Sequence, residues 1–309
     1  MAAHVGFLVN RIFQAIVCVL GVSVIIFCIT NLIGDPVQLL MPAEASQADR
    51  LAYQKSLGLD RPPVERYFVF LSRALTGNLG ESYRFNAPVL DLVWDRFPAT
   101  LELAAAAIVI AIALGLGSGI VAAVRPNSAW DKFFELFAMS GMAAPTFWVG
   151  IMLIWVFAVE WQMFPTSGRS GALSLVLPSI TLGLYSAAVI SRMTRSTLLE
   201  ALGEDFVRTA VLKGAPQRVI LFVHCLKYVL PALVTIVSLQ VVLLLAGAVI
   251  TETVFSWPGV GRLLVQSASG GDYPVVQGIT LLLSVAFVLI QLLADLLQFA
   301  LDPRLRSST

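Results

Sequence analysis

Six stretches of this chain hold no Asp, Glu, Lys or Arg for at least 22 residues: Ile12–Gly34, Leu103–Val124, Leu136–Val159, Ser170–Ser191, Tyr228–Thr251 and Tyr273–Ala294. A helix needs about 20 residues to cross a hydrocarbon core, so each window is long enough for one span. In lipid the backbone must satisfy its own hydrogen bonds, which leaves helices or closed barrels. Barrel strands would be about ten residues long and alternate in polarity. These runs are longer and uniformly apolar. The expected fold is all-α and integral to a membrane, with six transmembrane helices. Composition agrees, at 58% hydrophobic and 13% charged over 309 residues, against roughly 45–50% and 25% in soluble domains. With a net charge of +1, that balance excludes a soluble domain, a disordered chain and a nucleic-acid-binding module. The three cysteines, Cys18, Cys28 and Cys225, have no metal-ligand spacing, and their odd number argues against a disulfide framework.

The first window reads as a retained span. Its basic leader is thin, its apolar run is long, and no small-x-small cleavage site follows. Six spans place both termini on one side. Short loops on that side and the tail carry 11 Lys and Arg, against two (Arg169 and Arg262) in short loops opposite. The excess of positive charge marks the cytoplasmic face. The segment between spans 1 and 2 is then extracytoplasmic, and Tyr53, Tyr67, Phe68, Phe70 and Leu71 give it apolar residues enough to fold.

Within the spans, Gly115 and Gly119 have the G-x-x-x-G spacing of close helix packing rather than of a nucleotide loop. Pro145 and Pro178 lie inside windows 3 and 4, where proline kinks helices. Together with Phe147 and Trp148 they are candidates for a hinge or pore. The turn holding Phe255, Trp257, Pro258 and Gly259 is a candidate external gate, or simply a rigid turn. Glu102, Glu160, Glu252 and Asp295 fall at window ends. No acid sits mid-window, where a proton or ion relay would need one. No G-x-x-x-x-G-K-[ST] phosphate loop is present, and no nucleophile–His–acid set suggests an enzyme.

The segment Arg192–Lys227 holds one strongly punctuated helix. Glu204 and Asp205 occupy its first turn, where the helix dipole favours acids. Lys213 lies in the last turn, Gly214 suits the position after the C-cap, and Pro216 is a stop. The spacing predicts about ten residues over Glu204–Gly214, with a Glu204–Arg208 pair at i,i+4. Phe206, Thr209, Ala210 and Lys213 are expected to share a face. Small residues beside a charged face suit a knob entering a partner's groove; a connector lying on the membrane is the plainer alternative.

This segment resembles the EAA loop of membrane subunits of bacterial ABC importers. Arg208-Thr209-Ala210 stands at the triplet, Gly214 follows at the family spacing, and Leu230-Pro231 closes the motif. The Glu and first Ala of the triplet are absent. The version here, Asp205-Phe206-Val207-Arg208-Thr209-Ala210-x-x-Lys213-Gly214, is similar to that of peptide importer permeases. Further stretches agree in order: Gly34-Asp35-Pro36, Leu57-Gly58-Leu59-Asp60-Arg61-Pro62, Gly77-Asn78-Leu79-Gly80-Glu81-Ser82, Arg96-Phe97-Pro98-Ala99-Thr100-Leu101, Pro145-Thr146-Phe147-Trp148-Val149-Gly150, Glu252 through Gly261, Asp272 through Gly278, and Leu301-Asp302-Pro303-Arg304. Gln291 stands where the family often has Asn.

The resemblance to the first permease of a dipeptide/oligopeptide importer implies a type I ABC permease fold. It implies transmembrane helix 1 over 1–34, an extracytoplasmic subdomain over 35–98, a core over 99–300 with its coupling loop at 192–227, and a cytoplasmic tail over 301–309. The implied site is an ATPase-coupling helix of Glu204, Asp205, Phe206, Arg208, Thr209, Ala210, Lys213 and Gly214. The implied partners are a second homologous permease, two ATPase subunits or domains, an extracytoplasmic peptide-binding protein and the bilayer of a bacterial inner membrane. This chain would bind no cofactor or metal; ATP and Mg would belong to the partner ATPases. Permeases for nickel or glutathione share most of these motifs, so the cargo stays open. An ATP-independent carrier or channel is the rival of another class.

Overall fold

A computed structural model of the chain describes residues 2–32, 37, 40–42 and 45–301, with side chains from residue 10 to residue 296. The Gly34-Asp35-Pro36 and Asp302-Pro303-Arg304 motifs and tail residues 302–309 lie outside the described residues. In chain order the helices are α1 (Ala2–Leu32), α2 (Gln47–Ser56), α3 (Pro63–Leu75), α4 (Val89–Val124), α5 (Ala129–Ala143), α6 (Thr146–Glu160), α7 (Ala172–Leu202), α8 (Asp205–Leu212), α9 (Gln217–Val254), α10 (Val260–Ser269) and α11 (Tyr273–Leu301). No strand occurs among the described residues. Five of these helices are long and apolar enough to cross a membrane unbroken: α1 from Asn10, α4, α7, α9 and α11 to Leu296.

The third charge-free window is not one straight helix. Helices α5 and α6 meet at 108°, and a sixth span exists only if this bent pair is counted as one. The cause is local. Ala144 and Pro145 both take extended conformations (ψ 129° and 130°), as expected of proline and the residue before it. Pro178, by contrast, is buried within α7 and does not interrupt it.

The other windows understate their helices. α4 starts at Val89, well before Leu103. α7 runs on to Leu202, and α9 begins at Gln217. Arg192–Lys227 is therefore nearly all helical, broken only at Gly203-Glu204 and at 213–216. Seven-residue and six-residue π-helical turns, Ile154–Glu160 and Ile220–Cys225, widen α6 and α9.

The described residues fall into two compact units, 1–100 with 258–289 and 101–257 with 290–309. In the first, Leu79, Val89, Val93, Val260, Leu263, Val275 and Ile279 form one apolar core. Buried Asp272, at the head of α11, accepts from the Ser82 hydroxyl at 2.5 Å and the Tyr83 amide at 3.0 Å. The Thr100 hydroxyl accepts from the Val260 amide at 2.9 Å and so holds the start of α10.

In the second unit α7 is the most enclosed helix. Small residues carry its contacts: Ser179, Gly183, Ala187, Ala188, Ser191 and Thr194 are buried. A Cβ on Gly115 would lie 2.7 Å from Ile190, and one on Gly119 would lie 2.6 Å from the Ser191 carbonyl. The G-x-x-x-G pair of α4 is thus a place of close approach to α7, as is Gly183 of α7 against the Ala107 carbonyl of α4. The Ser118 and Ser191 hydroxyls are 2.7 Å apart in the same seam.

Candidate functional site

Helix α8 lies between the ends of the two helices α7 and α9. Glu204 is its extended N-cap residue and makes no side-chain cap bond. At the other end the Gly214 amide donates to the Val211 carbonyl at 2.9 Å, and the Ala215 amide to the Ala210 carbonyl at 3.1 Å. Gly214 has φ +77°. Those two bonds around a left-handed glycine make a Schellman stop, as the sequence punctuation predicts. The helix has eight residues rather than about ten.

Two expectations about its surface need correction. Arg208 reaches back to Asp205 at 3.5 Å, not to Glu204, and both partners are highly exposed. At that exposure the pair adds little stability. The shared face is also different. Phe206, Val207 and Ala210 pack inward with Ala215 on a core of Leu198, Ala201, Ile220, Leu221, Cys225 and Val229. The Phe206 and Tyr228 rings are 5.2 Å apart. Thr209 and Lys213 point outward with Asp205, Arg208, Val211 and Leu212. An adjacent apolar residue, Val207, shifts the buried stripe by one position. Leu212 is 88% exposed and Val211 58%, so the free face mixes apolar side chains with charges of both signs. It holds no acid–base pair aimed at a reacting atom; what it can do chemically is dock.

Sequence reasoning missed the ion pair that ties α5 to α7. Arg195 donates to Asp131 through Nε at 2.5 Å and Nη2 at 2.9 Å. Asp131 also accepts from the Asn127 amide at 2.8 Å, while the Ser128 hydroxyl caps the helix by accepting from the Asp131 amide at 3.2 Å. Only 3% of the Asp131 side chain is exposed. The partners are 64 residues apart, and no local spacing signals them.

The expected hinge and gate residues separate into distinct roles in packing. Pro145 stands at the break. Phe147 and Trp148, two and three residues past the break at Pro145, are about half exposed. Trp148 lines an apolar cavity of about 270 Å³ with Phe137, Met152 and Leu184. Phe255 and Trp257 are buried, not surface loop residues. Phe255 packs on Ala158 and Leu177, and its carbonyl accepts from the Gly168 amide at 2.9 Å. The Arg169 guanidinium sits 6.0 Å from the Trp257 ring and pairs with Glu102 at 2.6 Å. Pro258 is exposed and Gly259 is buried ahead of α10. Glu252 lies in the last turn of α9 and Asp295 six residues before the end of α11, and both are buried.

Comparison with known proteins gives these features a family. Residues 111–307 match the binding-protein-dependent transport system inner membrane component, and residues 4–104 match the N-terminal membrane component of the same systems. The dipeptide transport system permease protein DppB of Escherichia coli K12 is 37% identical, with 97% of this chain and 98% of that protein covered. DppB of Alkalihalophilus pseudofirmus is 36% identical, covering 97% and 99%. The glutathione transport system permease protein GsiC of Escherichia coli K12 is 37% identical, also covering 97% and 99%. A chain of the inward-facing MetNI methionine ABC transporter superposes with a TM-score of 0.59 at 20% identity, over 68% of this chain and 96% of that one.

Proposed function

The chain belongs to the inner membrane components of binding-protein-dependent transport systems, and from that membership we propose that it is one permease of an ATP-driven importer of di- and oligopeptides. The cargo reading rests on its likeness to the DppB permeases. A second homologous permease, two ATPase subunits and an extracytoplasmic binding protein complete the assembly. The protein is a multi-pass membrane transport component, and in this proposal both termini face the cytoplasm.

One observation carries the coupling role: α8 is anchored on one face by Phe206, Val207 and Ala210 while Asp205, Arg208, Thr209 and Lys213 stand free on the other. An ATPase groove takes the free face. Motion of the ATPases then reaches α7 and α9 through the packed face, because a close-packed interface transmits displacement rather than absorbing it. The Asp131–Arg195 pair carries the movement of α7 to α5. Pro145 serves as the hinge between α5 and α6, with Phe147 and Trp148 facing the path. Pro178 lies buried in the unbroken α7, and the Phe255–Gly259 segment closes the path on the extracytoplasmic side, its aromatic rings buried and its Pro258 exposed. The cycle alternates access to the cavity between the two permeases and needs no covalent step on this chain.

The test is reconstitution of the chain with its second permease and ATPases in proteoliposomes. Labelled dipeptide should enter only with ATP, the partners and the binding protein. Gly214→Val places a β-branched residue at φ +77°, a conformation costing such residues on the order of 1–2 kcal/mol. It should leave the complex assembled and lower uptake more than ATP hydrolysis. Normal uptake in that variant, or uptake without ATP, overturns the proposal. The equal identity to GsiC supports glutathione as the second cargo reading, and competition between dipeptide and glutathione separates them.

A further inference from the structure

A pocket of about 390 Å³ lies within the first unit where α2, α3 and the ends of α1 and α11 converge. Lys55, Arg61, Arg66 and Arg73 line it, and no Asp or Glu does among the described residues. Arg61 is engaged by Glu65 at 3.3 Å. Lys55, Arg66 and Arg73 make no ion pair with a described carboxylate. Arg66 is half-buried, and its guanidinium lies 6.0 Å from the Phe27 ring. Burial pulls that guanidinium below its ordinary pKa, the sign of a positive charge held partly out of water without a matching anion.

The depth of the pocket narrows its ligand. From α1 it takes Phe27, Thr30 and Asn31, at the end of the charge-free window that begins at Ile12. From α11 it takes Tyr273, Pro274 and Gln277, at the start of another such window. Gln277 donates to Thr30 at 2.6 Å and so ties the two helix ends at one level. About 20 helical residues fill the hydrocarbon core, so this level is the headgroup layer. Just below it Ile25 and Ile29 of α1 are exposed, offering apolar surface to acyl chains.

We infer that this pocket binds the phosphate of an anionic phospholipid, with Arg66, Arg73 and Lys55 on the headgroup and α1 along the chains. The site fixes α1 and the α2–α3 segment against the membrane surface. The inference uses only the membrane-spanning nature of the chain and stands apart from the cargo and coupling roles proposed above.

Native mass spectrometry of the delipidated complex in detergent tests it. The probes are phosphatidylglycerol, phosphatidylcholine and inorganic phosphate. Phosphatidylglycerol should be retained in preference to phosphatidylcholine. The Arg66→Gln/Arg73→Gln variant should lose affinity by roughly fivefold per cation removed. Lys132→Gln, outside the pocket, should leave it unchanged. If the double variant does not assemble, Lys55→Gln/Arg73→Gln removes two exposed cations and reads the same loss. Equal retention of the two lipids, or unchanged affinity in the cation variants, overturns the site. Displacement of phosphatidylglycerol by millimolar inorganic phosphate overturns the lipid source in favour of a soluble anion. Peptide uptake is not read, so a failed importer proposal leaves this result standing.

Discussion

Helices α1 and α7 start from windows that charge counting cannot tell apart, Ile12–Gly34 and Ser170–Ser191. Their surroundings differ sharply. Within the chain 11% of the α1 span is buried, against 61% of the α7 span. α1 exposes Ile12, Phe13, Ile16, Val17, Val24 and Ile25, and large branched side chains keep neighbouring backbones away. α7 instead carries Ser179, Gly183, Ala187, Ala188 and Ser191 at its contacts. Lipid is as apolar as leucine, so apolar character alone does not bring helices together; small residues do, by allowing close approach. Freedom from charge says that a segment enters the membrane. Placement of small residues says which segment becomes the centre.

The sharpest way to break this comparison is to enlarge a glycine in each setting. Leucine at Gly119 would drive its Cβ to 2.6 Å from the Ser191 carbonyl, a backbone atom of α7. Overpacking a fixed seam costs about 1–3 kcal/mol and occasionally more, so Gly119→Leu should lower thermal stability of the purified protein strongly or abolish its recovery. Gly21→Leu in α1 meets nothing within 4 Å among the described residues. It should be neutral or stabilising by up to about 1 kcal/mol through helix propensity. Equal losses in the two variants would show that α1 is as tightly seated as α7.

Charge offers the second contrast, between the pair that ties α5 to α7 through a buried carboxylate and an exposed pair on α8. Arg195→Ala would leave the Asp131 carboxylate, 3% exposed, without its guanidinium. Breaking a buried pair costs on the order of 3 kcal/mol. Arg208→Ala breaks only an exposed contact and should leave stability within about 0.5 kcal/mol. A double-mutant cycle with Asp131→Asn isolates the interaction on α7. A coupling near zero there would remove the pair as the link between α5 and α7.

These contrasts also mark what the sequence makes legible. The spans, the Gly115/Gly119 seam and the punctuation of α8 are all local patterns. Capping signals, a left-handed glycine and a helical period act over four or five residues, and so can be read from neighbours. The Asp131–Arg195 and Ser82–Asp272 contacts join residues 64 and 190 positions apart, and nothing local encodes them. Proline shows the same limit. Pro145 ends a helix, while Pro98, Pro178 and Pro231 lie inside continuous ones. The same locked φ breaks or bends depending on whether surrounding packing carries the helix past it. On α8 the period was legible and the register was not, because Val207 is recruited into the core and turns Thr209 and Lys213 outward.

The smallest expected effect tests what covers α1. Ile25 is 58% exposed in the isolated chain. If lipid fills that space, Ile25→Ala exchanges one lipid-facing side chain for a smaller one. The surrounding lipid adapts without leaving a cavity, and stability should change by no more than about 0.5 kcal/mol. If another protein's helix packs there, the same change leaves a void and costs about 2–5 kcal/mol, as in a core. Thermal unfolding of this chain alone and of the assembled complex distinguishes the two. Neutrality in both makes α1 a helix that faces lipid. A loss confined to the complex makes α1 a partner-facing helix, and its apparent isolation beside α7 a property of the single subunit.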